Sequence, residues 1–405
     1  MSRVILHCDC NNFFASVETV LNPALKNRPI AVCGSESDRH GIVLAKNELA
    51  KKFDIKTAET VFSARKKCPD LVVVKPHYDE YVKYSKLVNG IYSRYTDMIE
   101  SFGIDESWLD VTASRKLFGT GEEIADKIRV DVKCELGITV SVGVSFNKVF
   151  AKLGSDYKKP DAVTVINESN YKDIVFPLPV SNLLFVGKKT ERELKNIGIR
   201  TIGDLAGTST EMLTKKLGKM GEMLYLYANG LDESPVNVDG EDAKSVSNGL
   251  TFRHDLTSYE ECKAGIYFLS EEIGTKLRAA SQLCGTVSLT VKDEFLRTIQ
   301  RQRSQTPPTD IAEEIAKTAY CILVDEWTEG KPIRMITVSA NNLLKRELYS
   351  EQISLFDNGS TEQRKNSEKK ENVVDKIRQK FGSDAIIRGS LLDNDIGIYK
   401  SQNKD

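Results

Sequence analysis

Two adjacent carboxylates, Asp105 and Glu106, stand in the stretch Ser101-Phe102-Gly103-Ile104-Asp105-Glu106-Ser107-Trp108-Leu109-Asp110, where two short apolar runs meet. A third, Asp9, follows the apolar run Val4-Ile5-Leu6 far away in sequence. Hard divalent cations such as magnesium take clustered oxygen ligands, and two-metal phosphoryl transfer needs at least two carboxylates on a rigid platform. If the runs pair as strands, the three acids meet at one sheet edge, the arrangement of a nucleotidyl-transfer site. Asp110, further along the second run, reads as a structural hydrogen-bonding acid rather than a ligand.

The apolar pattern sets the elements that must carry these acids. A strand runs to about residue 10, and Asn11 or Asn12 caps a helix starting at Phe13. Short strands are expected at 30–33 and 42–44 and a helix at 47–53, with Pro76 closing this small insert. A long amphipathic helix covers 78–95. Strands flank Asp105-Glu106 within 98–112. A helix over 122–136, a β-rich run at 138–144 and a helix over 147–157 follow. That order predicts an α+β sheet layered with helices, close to a split βαββαβ unit. Residues 167–233 read as short helices, with Gly187-Lys188-Lys189 opening one of them; glycine amides at a helix start can seat a phosphate regardless of base sequence. Residues 234–244 lack periodicity and read as a linker, and 245–345 alternate strands and helices in a small α/β domain. The polar tail from about 357 is expected to be disordered, with a short helix near 373–381.

At 405 residues the chain exceeds one compact core, and several domains are expected. No run approaches the ~18 apolar residues of a membrane span, and Asp9 arrives too early for a signal peptide, so a cytoplasmic protein is expected. The 8 cysteines are scattered without a C-x-x-C pair and read as buried thiols; Cys8 and Cys10 are expected on opposite strand faces. The net charge of −1 argues against a wholly basic nucleic-acid binder. Local clusters speak for one: Lys46, Lys51, Lys52 and Lys56; Arg65, Lys66 and Lys67; Lys188, Lys189, Arg192 and Lys195; and Lys292, Arg297, Arg301 and Arg303.

In order and spacing, the segments Asp9 to Glu18, Ser101 to Asp110, and Ser145 to Leu153 with Lys158-Lys159-Pro160 closely resemble the Y-family (translesion) DNA polymerases. The likeness runs from about residue 4 to 345. It implies an α+β multidomain, right-hand architecture. The palm would be 1–10 and 77–166, small fingers 11–76, and a helical, helix-hairpin-helix thumb 167–233. A linker at 234–244, an α/β little finger at 245–345 and a tail at 346–405 would complete it. The implied activity is template-directed addition of deoxynucleotides to a primer 3′ end, a low-fidelity translesion synthesis in DNA repair and damage tolerance, without a proofreading exonuclease. Two magnesium ions would be held by Asp9, Asp105, Glu106 and the Cys10 backbone carbonyl. Phe14 takes the steric-gate position, its ring excluding a 2′-hydroxyl, while Phe13 reads as core. Lys51 and Lys159 correspond to triphosphate contacts, and Gly187, Lys188, Lys189, Lys292, Arg297, Arg301 and Arg303 to DNA contacts. Gln352-Ile353-Ser354-Leu355-Phe356 resembles the clamp-binding pentapeptide of bacterial polymerases, with Gln352, Leu355 and Phe356 as anchors. Implied partners are primer-template DNA, deoxynucleoside triphosphates and a sliding clamp, for a monomer with no membrane contact.

Two departures stand out. Many members have a threonine and a tyrosine on the triphosphate where this chain has Ala45 and Glu48; Glu48, an acid beside a polyanion, is expected to point away, and the variation leans toward the polymerase V side of the family. Members often carry Pro-Gly-Ile-Gly in the thumb hairpin, whereas this chain reads Leu184-Phe185-Val186-Gly187. Two other classes use comparable parts: a catalytically silent DNA-binding scaffold, and a nucleotide cyclase with a similar carboxylate pair.

Overall fold

In the computed structural model, residues 3–35, 41–238, 240, 242–350, 360–382, 385–389 and 395–398 are described. The chain divides near residue 240 into two compact units. In the first, β1 (Ile5–Cys10) and α1 (Phe13–Leu21) lead into a small inserted sheet of β2 (Ile30–Cys33), β3 (Val43–Lys46) and β4 (Val72–Val74). The helices α2 (Glu48–Lys51) and α3 (Val61–Lys67) lie between β3 and β4. Then α4 (Tyr78–Tyr92), β5 (Ile99–Ser101), β6 (Glu106–Asp110), α5 (Arg115–Phe118), α6 (Gly121–Leu136), β7 (Val140–Ser145), α7 (Lys148–Tyr157) and β8 (Val163–Ile166) complete the main layer.

The main sheet has the order β5-β6-β1-β7-β8. With β1 at its centre, paired antiparallel to both β6 and β7, every residue from Ile5 to Cys8 is fully buried. Leu6, Cys8 and Cys10 pack in one core with Tyr81, Tyr92, Ile124 and Ile128 from α4 and α6. This corrects the expectation for the two cysteines: residues two apart on a strand share a face. On the other face α7 lies so close to β7 that a Cβ on Gly143 would sit 1.9 Å from the Ala151 carbonyl oxygen. Only glycine allows that approach, and it fixes the height of the lysines on α7 above the sheet. Two cysteines, Cys134 and Cys321, are exposed rather than buried.

Beyond β8, the helices α8 (Tyr171–Val175), α9 (Lys188–Asn196), α10 (Ile202–Ala206), α11 (Thr210–Leu217) and α12 (Lys219–Ala228) enclose a core of Leu194, Ile202, Leu205, Leu213 and Leu224, to which α7 adds Phe150.

The second unit is a four-stranded antiparallel sheet of order β11-β10-β12-β9, built from β9 (Ser245–Leu256), β10 (Gln282–Asp293), β11 (Thr298–Thr309) and β12 (Ile333–Lys345). α13 (Tyr259–Ala279) and α14 (Ala312–Glu326) contribute Ile266, Ile273, Ile315 and Leu323 to one core with Phe252, Val287 and Ile336 of the sheet.

The tail departs from expectation. Residues 360–381 form α15 (Ser360–Phe381), docked on α13 and α14. The short helix expected near 373–381 is its C-terminal part; the rest docks by charge rather than by apolar side chains, so hydrophobic periodicity does not announce it. Arg278 binds both Glu371 and Asp375, Arg378 reaches Glu271 at 2.9 Å, and Arg346, itself bonded to Asp310, lies 3.6 Å from Glu368. Ile396 and Ile398 return to the core of this unit. The pentapeptide at 352–356 lies outside the described residues. Removing one partner of a largely buried ion network strands the other charges. Arg278→Ala is therefore expected to cost about 2–4 kcal/mol and to strip α15 of amide protection in hydrogen exchange; unchanged protection over 362–381 would contradict the docking.

Candidate active site

The site begins where β1 stops. Cys10 donates its backbone N–H to the Asp105 carbonyl at 3.0 Å, and Asn11 donates its own to Thr139 at 2.8 Å. Asp9 stands opposite Glu106 on one side and Ser141 on the other. The Asn11 side chain, buried, makes the corner rigid: its amide donates to Ser141 Oγ at 2.8 Å while its oxygen accepts from Thr139 Oγ1 and from the Asp161 backbone N–H. The last bond ties the loop carrying Lys159 to the end of β1. Asn12 follows at φ 50° as the residue before α1, yet makes no side-chain cap; its amide donates instead to Glu48 Oε1 at 2.8 Å.

Asp9 and Asp105 line a cleft of about 430 Å³ with Cys10, Asn12, Phe14, Lys46, Lys51, Thr57 and Lys159. Burial, then the charges of Asp9 and Glu106, push the Asp105 carboxyl up to about 6. Burial also raises Asp9, opposed by Lys159, whose Nζ lies 2.7 Å from Asp9 Oδ2 and 2.8 Å from Asp156 Oδ1. Burial works against the Lys159 charge, but those two acids outweigh it and raise its pKa. Glu106 behaves oppositely. Burial would raise it, yet His7 and Lys152 hold it down at about 2. Lys152 pairs directly with Glu106 Oε2, and His7 Nε2 lies 3.2 Å from the same oxygen. Glu106 is thus turned toward α7, and among the described residues no three acidic, histidine or cysteine side chains converge as a metal cluster. Asp110 receives the Thr112 N–H at 2.9 Å, a structural role.

Phe14 presents its ring to the cleft. The ring stacks on Tyr81 at 4.1 Å between centroids and 11° between planes, with Tyr78 edge-on at 5.9 Å. Tyr81 donates its hydroxyl to Glu18, which is buried and also accepts from His77 Nδ1 at 2.9 Å. Phe13 is buried in the core. Glu18 went unnoticed in the sequence, although its position one helical turn after Phe14 places both on one face of α1.

On α2, Lys51 Nζ lies 2.7 Å from Glu48 Oε1. Glu48 does not itself line the cleft, but its Oε1 joins Lys51 and Asn12, both of which do. Burial opposes its ionisation, but those two partners lower its pKa.

The remaining basic residues scatter more than their sequence suggests. Gly187 is the residue before α9, with Lys188 and Lys189 exposed on its first turn. Phe185, where the resemblance expects glycine, holds φ 69° all the same, in the left-handed region that costs a side-chain-bearing residue about 1–2 kcal/mol. On the second unit, Arg301 and Arg303 stand opposite Leu289 and Val287 on the helix-facing side of the sheet, bound to Glu326 and Asp325 of α14. Arg297 is held by Asp293 at 2.7 Å. Lys292 shares the other face with Ser288 and Thr290, so the four do not form one stripe.

Residues 8–156 match the impB/mucB/samB family, residues 243–355 the C-terminal domain of that family, and residues 182–232 the thumb domain described for DNA polymerase-iota. The chain is similar to DNA polymerase IV of Acetivibrio thermocellus, 49% identical over 97% of this chain and 98% of that one. It is also similar to DNA polymerase IV of Clostridium kluyveri, 36% identical over 97% and 99%. A solved Y-family DNA polymerase chimera, 24% identical, covers 84% of this chain and 99% of its own with a TM-score of 0.75, a likeness of fold. Since the relatives at this level are named polymerase IV, Ala45 and Glu48 do not mark a polymerase V branch. The chain belongs to the impB/mucB/samB family of Y-family DNA polymerases.

Proposed function

We propose that the cleft between Asp9, Asp105, Lys159 and Phe14 is where this DNA-directed DNA polymerase extends a primer during translesion synthesis. One observation carries the reading: two carboxylates from separate segments face one cleft beside a flat aromatic ring and several lysines. A polymerase of this family acts on DNA and nucleotides, and the family implies a divalent metal.

The residues fit such an ion. Asp9 and Asp105 are hard oxygen donors crowded together, both held above the usual carboxylate range by burial, with only Lys159 paired to Asp9. Two magnesium ions held by Asp9, Asp105, Glu106 and the Cys10 carbonyl would supply Lewis-acid activation of the primer hydroxyl and charge neutralisation at the leaving pyrophosphate. The chain's own residues do the rest. Lys159 turns from Asp9 to the triphosphate, in a cleft that Lys51, paired to Glu48, also lines. Phe14, supported from behind by Tyr81, excludes a 2′-hydroxyl by contact. Gly187 with Lys188 and Lys189 at the start of α9, and Lys292 on the second unit, meet phosphates without reading bases. Arg297, Arg301 and Arg303 would join them only after leaving their acids.

The same reading assigns palm, fingers, thumb and little finger to 1–10 with 77–166, 11–76, 167–233 and 245–345. The division into a five-stranded sheet, a three-stranded insert, a helical segment and a four-stranded sheet supports that assignment. No helix among the described residues is long and apolar enough to cross a membrane. In this proposal the enzyme acts as a cytoplasmic monomer without proofreading, tethered to a sliding clamp through Gln352, Leu355 and Phe356. Template-dependent extension with magnesium separates it from a silent scaffold, which extends nothing, and from a cyclase, which consumes nucleotide without a template.

Asp105 gives a sharper test. Folding raises its pKa from 3.8 to about 6, so the neutral form is favoured; its penalty on stability is absent below the lower value and complete above the upper one. Asp105→Asn should therefore stabilise the metal-free protein at pH 7.5 by about 1–2 kcal/mol, discounted for partial exposure, while extension falls roughly a thousandfold. A lower melting temperature in this variant would refute the account of crowded charge. Phe14→Ala should reduce discrimination against ribonucleotides by roughly a hundredfold in single-insertion assays, and retained selectivity would remove Phe14 from the gate. Phe356→Ala should abolish stimulation by the clamp but leave unassisted extension intact; full stimulation would dismiss the pentapeptide.

A further inference from the structure

Three lysines line the cleft, and their pairing differs. Lys159 is held by Asp9 and Asp156. Lys51 is held by Glu48, whose Oε1 also takes the Asn12 amide at 2.8 Å. Lys46 alone has no carboxylate at ion-pair distance among the described residues; its Nζ donates to the Thr57 hydroxyl at 3.1 Å. Thr57 lines the same cleft.

The difference matters when a polyanion arrives. Lys46 can exchange a neutral hydroxyl, or share it, at little cost. For Lys51 to reach a phosphate it must leave a charge-assisted bond, and Glu48 then stands bare beside the triphosphate. Keeping the pair intact makes Lys51 and Glu48 together nearly neutral. Lys46 meanwhile sits where burial, and then the like charge of Lys51, disfavour its charged form, an environment that an anion would relieve. Ala45, beside it on β3, offers no side-chain donor.

We propose that Lys46, with Thr57, is the principal contact of the inserted sheet to the triphosphate of the incoming nucleotide, while Glu48 keeps Lys51 neutralised and fixes Asn12 beside the gate. Glu48 is in this sense a positioning residue. The proposal rests on the polymerase reading of the cleft and names which cation serves it. The side chain of Lys46 and those of Lys51 and Glu48 are partly exposed, so substitutions there are expected to fold.

Single-nucleotide insertion, with each of the four deoxynucleoside triphosphates in turn, tests it. Lys46→Ala should raise KM about tenfold for all four, the worth of one charge-assisted contact, with kcat within about twofold. Lys46→Arg should restore most of the loss. Lys51→Ala should raise KM less than about threefold. Glu48→Gln keeps both hydrogen-bond acceptances but removes the charge, so it should lower KM and partly rescue Lys46→Ala. A larger KM effect from Lys51→Ala than from Lys46→Ala overturns the proposal. So does a Lys46→Ala defect confined to certain bases, which would put Lys46 at a base edge, or a failure of Glu48→Gln to rescue. If the wild-type protein shows no template-directed insertion, the polymerase reading itself fails; if it inserts normally and Lys46→Ala is silent, only this assignment does.

Discussion

Negative charge crowded at the end of one buried strand is the constraint that organises this molecule. β1 cannot be an edge: it is paired on both sides and buried on both faces, so Asp9 is delivered into a fixed position against Asp105 and Glu106. Such a grouping is unfavourable without cations, and the surrounding structure is arranged to provide them. Lys152 on α7 takes Glu106, and Lys159, just beyond α7, takes Asp9. The close backbone contact at Gly143 sets α7 against the sheet, and the Asp161–Asn11 hydrogen bond holds the Lys159 loop. The protein's own lysines thus occupy places that a metal and a triphosphate would compete for.

This balance explains why the three carboxylates do not behave alike. Asp105 has no lysine bonded to it among the described residues and is pushed toward neutrality, whereas Glu106, held by Lys152 and His7, stays ionised well below the usual range. Two adjacent residues in sequence therefore face different demands. Asp105 is the acid with the most to gain from a cation in the cleft, while Glu106 must first give up its partners on α7.

Much of the fold is written in the apolar pattern, because most of it is built from amphipathic elements around ordinary cores. The strands that end at Asp9-Cys10 and begin at Glu106, and the helices over 121–136 and 148–157, lie close to where periodicity puts them. What periodicity hides is structure held by charge. α15 docks through ion pairs of Arg278 with Glu371 and Asp375, Arg346 with Glu368, and Arg378 with Glu271, and its polar inner face resembles that of a solvated segment. The same blindness affects the site. A run of lysines and arginines does not reveal which of them are already neutralised, and Arg301 and Arg303 are bound to α14 rather than presented with Lys292. Conversely, backbone geometry can outlast the residue that suits it: Phe185 keeps the positive φ of a glycine position in the thumb hairpin.

In the proposed role of Phe14 as a gate, its support by a buried charge would serve selectivity. A gate must be rigid on the side away from the substrate and bare on the side toward it. Tyr81 stacks on one face of the ring, and Tyr81 is itself fixed by its hydroxyl bond to Glu18. A buried carboxylate is a costly anchor, and an apolar residue in its place would pack at least as well. Its advantage is direction: hydrogen bonds from Tyr81 and His77 fix the tyrosine's orientation as well as its position, and through stacking the plane of Phe14. Dispersion alone would let the ring tilt at little cost, and a tilted ring opens the space that a 2′-hydroxyl needs. In the proposed gate, the polar network under Phe14 would therefore bear on which sugar is admitted, although neither Tyr81 nor Glu18 lines the cleft.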